Sequence, residues 1–208
     1  MTRILIGTTL SALVLMAWGF VYWVVLWGPG AQFKALPDEA GMMAEFRGRL
    51  ESGVYQFPFQ PGQQAGHGEA QRLFEERHRQ GPLGLLMVVQ PGREAMGWWQ
   101  LTMGLAGFLA SSLVAGILLW LALPVLGGYL TRVTFVTSLG IFAALSTRLA
   151  DPVWWNLPWA HHLHLALMTL INSLLAGLVL GAVIHPRRGF THETDPSRPL
   201  WKRAMDEN

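Results

Sequence analysis

The stretch WAHHLHLALM, residues 159–168, puts His161, His162 and His164 almost side by side behind a tryptophan. That density of imidazole could ligate a metal, hold a haem or meet a quinone headgroup. On a helix His161 and His164, three apart, share a face, while His162 lies about 200° from His164 and points elsewhere. A metal held by His161 and His164 therefore needs further ligands, for which Asp151, Asn156, His67 and His78 are the candidates. A haem between helices needs an axial histidine at depth. The other apolar runs contain no histidine, and His185 lies about 31 Å along the helix from His164. This placement argues against a transmembrane bis-histidine haem. The alternative is that Trp154, Trp155, Trp159 and the imidazoles fill the headgroup layer, with Pro152 and Pro158 holding an extended loop before the helix submerges.

Other chemistry is sparse. No G-x-S-x-G, H-E-x-x-H or P-loop pattern occurs, and with no cysteine there is no disulfide framework, thiolate ligand or thiol nucleophile. Glu45, Glu51, Glu69, Glu75 and Glu76 lie in one polar segment, where Glu75 and Arg79 make an i,i+4 pair and the carboxylates read as solvated charge. Met42 and Met43 diverge by about 100° on a helix and read as packing residues, not copper ligands.

The elements that must position these residues follow from composition. With 51% hydrophobic residues, ten tryptophans and only 13% charged residues, the 208-residue chain has about half the charge of a soluble domain. The net charge of +2 is too small and too scattered for nucleic acid. Four apolar runs are read as membrane-spanning helices, the first of them longer than the roughly 30 Å of a hydrocarbon core. The first covers 4–27 and reads as an uncleaved signal anchor ending WVVLWGPG. The second starts at Trp98 and stops near Leu123, before Pro124 and Gly127-Gly128. The third covers about 129–147, and the fourth runs from Trp159 or Leu163 to Ile184, closed by HPRR. Arg3, Arg132, Arg187, Arg188, Arg198, Lys202 and Arg203 then fall on one side, the cytoplasmic one by the positive-inside rule. Both termini are expected there, with Trp23, Trp27, Trp98, Trp99, Trp154, Trp155 and Trp159 at the outer interface.

Between the first two runs, residues 29–97 carry a repeated pattern: helix PDEAGMMAEFRGRLES, strand GVYQF, helix GEAQRLFEERHRQ, strand GLLMVVQ. Phe46 and Gly53 correspond to Phe74 and Gly81, so an α-β-α-β cap with paired strands is expected. So small a unit buries little alone and needs the helices, the membrane or a partner. The organisation expected is an anchor at 1–28, the extracytoplasmic cap at 29–97, a three-helix segment at 98–185 and a cytoplasmic tail at 186–208. The fold class is mostly α, integral membrane.

The central parts of all four runs lack ionisable side chains, which argues against a pump or coupled carrier. What lies at depth is small: Gly107, Ser111 and Ala115 on the second helix, and Asn172, Ser173, Gly177 and Gly181 on the fourth. These stripes are expected to bring helices two and four together or to dock a partner helix, with Asn172 bonding across the seam.

The anchor ending W-G-P, then ESGVY, F-P, RQGPLGLL and a final three-helix segment resembles a loose group of uncharacterised four-helix bacterial inner-membrane proteins. The resemblance covers most of the chain through short motifs. It implies the architecture and a bacterial inner-membrane origin, carries no activity or cofactor, and offers no counterpart for WAHHLH. The functional expectation is a non-catalytic accessory or assembly subunit of a larger complex, with membrane lipids and other membrane-protein subunits as partners. The alternative is a lipid-, quinone- or metal-binding protein using the outer rim of Trp159, His161 and His164 and the cap. An enzyme using His161 and the cap carboxylates is the least favoured reading.

Overall fold

The computed structural model describes residues 1–26, 33–60 and 68–186. Trp27, His67, Arg187, Arg188, Arg198, Lys202 and Arg203, used above, lie outside the described residues, as does almost all of the expected tail.

Four helices are long and apolar enough to cross a membrane: Thr2–Leu26, Trp98–Ala122, Tyr129–Trp155 and Trp159–Val183. The first is α1 (Thr2–Phe20) continued by a π-helical turn, Val21–Leu26. The second is α4 (Trp98–Ala122), which ends two residues before Pro124, as a residue lacking an N–H requires. The third is compound: α5 (Tyr129–Ala143), a π-helical turn at Ala144–Arg148 and the short α6 (Ala150–Trp155). The fourth is α7 (Trp159–Val183).

The third helix corrects the sequence reading, in which Pro152 belonged to an extended loop. Pro152 is buried in the first turn of α6, where its missing N–H would be unpaired in any case. Its ring would crowd the carbonyl four residues back, at Arg148. The helix widens just there, with Leu149 N–H donating to Ala144 O. Only residues 156–158 separate α6 from α7, and Asn156 turns the chain in the left-handed region at φ 54°.

In cross-section the helices run α4, α1, α7, α5, each packing on the next, while the side between α4 and α5 is nearly open. The common core is Ile4, Leu15, Leu119, Val136, Ala176, Leu180 and Ile184. Small residues set the close approaches. Gly140 faces Ser173 so tightly that a Cβ there would overlap both Cβ and Oγ of the serine. A Cβ at Gly177 would stand 3.0 Å from Val133 O, and one at Gly181 would meet Val133, Arg132 and Tyr129. The stripe of Ser173, Gly177 and Gly181 thus packs on α5, not on α4.

The expected stripe on α4 is also displaced. Gly107 has open space where a side chain would be, and Ser111 is exposed, its hydroxyl donating to Phe108 O. Ala115 is half-buried at the core edge. The face turned inward is the next stripe, Ser112, Gly116 and Leu119, which meets α1: Ser112 Oγ donates to Ser11 Oγ at 2.9 Å. The spacing of small residues allows either stripe, and the chain uses the one with a hydroxyl opposite a hydroxyl.

At the end of the bundle holding the N-terminus, one arginine closes the last turn of α7 and another holds the residue just beyond it. Arg132, buried near the start of α5, donates to Gly181 O at 3.0 Å and to Gly127 O at 2.8 Å. Arg3 donates to His185 O at 2.8 Å. The final carbonyls of a helix lack backbone partners and carry its negative dipole end, so the Arg132 guanidinium suits Gly181 O.

The other end carries the cap: α2 (Glu39–Arg49), β1 (Gly53–Phe57), α3 (Glu69–Gln80) and β2 (Gly84–Val88). The strands pair antiparallel with Val54 opposite Met87 and Phe57 opposite Gly84, matching the α-β-α-β order expected from the sequence. Asp38 caps α2 by accepting from Gly41 N–H, and Gln90 ties β2 to that helix by donating to Phe46 O and Leu50 O. Among the described residues between 33 and 96, none is buried.

Candidate functional site

The three histidines open in different directions from the first turn of α7, and each finds a different partner. His164 lies toward α1, where its Nδ1 and the Tyr22 hydroxyl are in hydrogen-bond contact at 3.3 Å and the rings are 5.3 Å apart. Tyr22 itself is buried, in the π-helical turn that ends α1. His161 stacks obliquely on Phe33 at 5.9 Å and edge-on to His162 at 5.4 Å. His162, which the helical spacing set apart from the other two, is the most deeply buried of the three and faces α6. Its Nδ1 is 3.7 Å from Asp151 Oδ2 and makes no hydrogen bond among the described residues.

This arrangement follows from the two π-helical turns. One delivers Tyr22 to His164, and the other, ahead of Pro152, rotates α6 so that Asp151 stands over His162. Widened turns of this type often mark functional positions. One turn deeper, the Trp18 ring sits 6.0 Å from Tyr22, and its Nε1 is buried with no hydrogen-bond partner among the described residues. A donor left unpaired in an apolar region is costly.

Among the described residues no three His, Cys, Asp or Glu side chains converge as a metal site. Of the further ligand candidates, Asp151 meets His162, while Asn156 and His78 line a cleft under the cap instead. Trp23, Trp98, Trp99, Trp154, Trp155 and Trp159 are all exposed, forming an open rim around the cap end.

Asn172 departs from expectation. Its Oδ1 is buried and has no hydrogen-bond partner among the described residues. Donors are lacking because the seam's hydroxyls are taken locally: Ser173 donates to Leu170 O, Thr137 to Val133 O and Ser138 to Phe135 O, each within its own helix.

Sequence reasoning missed Tyr22 and Trp18 as neighbours of the histidines. The available signal was a polar aromatic pair, four apart, inside an otherwise apolar run. No protein-family model, curated protein or solved structure matches this chain.

Proposed function

We propose that the chain is a non-catalytic accessory or assembly subunit of a larger bacterial inner-membrane complex, with both termini cytoplasmic and the cap in the periplasm. One observation carries the reading: the cap is an incomplete unit. Its two-stranded ribbon exposes Val54 and Met87, with Val89 exposed just past it; among the described residues both outer strand edges are unpaired and none from 33 to 96 is buried. A two-stranded ribbon without a covered apolar face is marginal in water, and open edges recruit further strands or chains. The α4 face bearing Gly107 and Ser111 is open in the same way. The seam residues Ser173, Gly177 and Gly181, by contrast, serve packing within the chain.

The test is gentle solubilisation of natively expressed protein, with mass spectrometry of what migrates with it, repeated on Val54→Lys/Met87→Lys. A stoichiometric membrane-protein partner that the double variant releases, while its four helices stay folded, is expected. A chain that runs only as a free monomer or homo-oligomer sinks the reading.

The unpaired Trp18 Nε1 beside Tyr22 and His164 favours a second reading, a lipid-, quinone- or metal-binding protein working at Trp159, His161 and His164. A quinone or lipid carbonyl would accept from the indole. Elemental analysis and lipid mass spectrometry of the purified chain test it, and nothing above background removes it.

A further inference from the structure

Beneath the cap lies a cleft of about 120 Å³ that neither reading uses. Its walls come from four elements, β2 contributing Gly84 and Leu85. The end of β1 gives Gln56 and Phe57, α3 gives Phe74 and His78, and the end of α6 gives Trp154, Trp155 and Asn156. Each wall is placed by the local fold. Phe57 stands opposite Gly84 in the ribbon, and a Cβ on Gly84 would come within 2.5 Å of the Phe57 ring, so the glycine leaves room for the ring to lie across its partner strand. Phe74 and His78, four apart on α3, present their rings together at 5.5 Å. Asn156, in the left-handed region, ends α6 so that Trp154 and Trp155 point up from the membrane-facing side.

The chemistry of the lining is selective. Although α3 carries Glu69, Arg72, Glu75, Glu76, Arg77 and Arg79, no Asp, Glu, Lys or Arg among the described residues lines the cleft. Phosphates and carboxylates therefore find no permanent counter-charge there, only the His78 imidazole. Flat aromatic faces accept the C–H face of a ring, while the amides of Gln56, Gln60 and Asn156 each both donate and accept, as vicinal hydroxyls require. The surface open to the cleft is mainly polar, so the amides carry recognition and the rings frame it. The geometry points to a binding site for an uncharged sugar ring, either free or as the headgroup of a neutral glycolipid in the outer leaflet.

The inference stands apart from the subunit reading and is tested on the full chain in glycolipid-free nanodiscs. Methyl β-glucoside is the soluble probe, followed by saturation-transfer NMR. A ring of this size in a shallow site should bind with a dissociation constant on the order of millimolar. Trp154→Ala removes a side chain that is 78% exposed and so should fold normally, and it should weaken binding about two- to twelvefold, the worth of one aromatic contact. Gln56→Ala is the second variant. In the parallel arm, the chain is reconstituted in phosphatidylcholine vesicles with and without monoglucosyl diacylglycerol and examined by native mass spectrometry. Saturation transfer that both variants weaken upholds the site with a free sugar as its ligand, and glycolipid retention lost in the variants upholds it with the headgroup. No binding in either arm, or binding unchanged in both variants, overturns it.

Discussion

Replacing one glycine by alanine at two places separates packing from mere helix-forming tendency. At Gly107 and at Gly140 alanine gains the same propensity, about 0.8–1.0 kcal/mol, because both positions are in helix interiors. At Gly107 the new methyl meets nothing among the described residues within 4 Å, so Gly107→Ala should be neutral or stabilising by up to that amount. At Gly140 the methyl overlaps the Ser173 Cβ, which no rotamer change can withdraw, so α5 and α7 must move apart. Overpacking of this type costs about 1–3 kcal/mol and sometimes more. Since the propensity gain cancels between the variants, their difference in stability should be about 1–3 kcal/mol, at the upper end for a clash fixed by backbone. Ser173→Gly in the Gly140→Ala background should recover most of it, as coupled neighbours do. The assay is unfolding in mixed micelles titrated with dodecyl sulfate, followed by tryptophan fluorescence. Equal stability of the two alanine variants, or no recovery in the double variant, would refute the α5–α7 contact described here.

Arg132→Met should destabilise the bundle by about 3 kcal/mol, because two hydrogen bonds from a buried guanidinium to Gly181 O and Gly127 O are lost, each worth about 1.5–3 kcal/mol before relaxation. Arg132→Lys should restore only part, since an ammonium lacks the two-pronged geometry; the same detergent titration reads both. Ser11→Ala and Ser112→Ala should show a coupling of about 0.6 kcal/mol in a double-mutant cycle, the typical value between buried polar side chains of membrane helices. Tyr22→Phe should cost about 0.5–1.5 kcal/mol and shift the side-chain ¹⁵N resonance of His164 while leaving that of His162 in place. A shift at His162 instead would mean that α1 and α6 contact the histidines differently.

The four long apolar helices and the cap were legible because each has a plain physical signature. Long apolar runs mark α1, α4, α5 and α7, although the third carries Arg132 near its start, and short apolar runs bounded by glycine and proline mark both strands. The packing faces were not. In a soluble helix the polar side names the buried one, but α4 exposes Val114, Ile117, Leu118 and Leu121 while burying Ser112 and Gly116. Lipid tails and leucine are equivalent surroundings, so hydrophobic pattern does not separate outside from inside. The histidine partners were hidden for a different reason. Tyr22 and His164 are 142 residues apart, and Asp151 reaches His162 only because Pro152 sits inside a helix that the proline signal argues against.

The helix order across the bundle also sets a timetable. The Ser11–Ser112 contact joins residues 101 apart in the chain, and the Arg3–His185 contact joins residues 182 apart. At a synthesis rate of about 5–20 residues per second, α1 and α4 can pair while α7 is still unmade, and His185 follows Ser112 by about 4–15 seconds. During that interval the α1 face bearing Gly7, which ends against Leu180 and Ile184, lacks its α7 neighbours. A ribosome pause or a rare-codon run placed between the two helices would lengthen the exposure, so the yield of folded chain should depend on translation speed over that window more than over the cap.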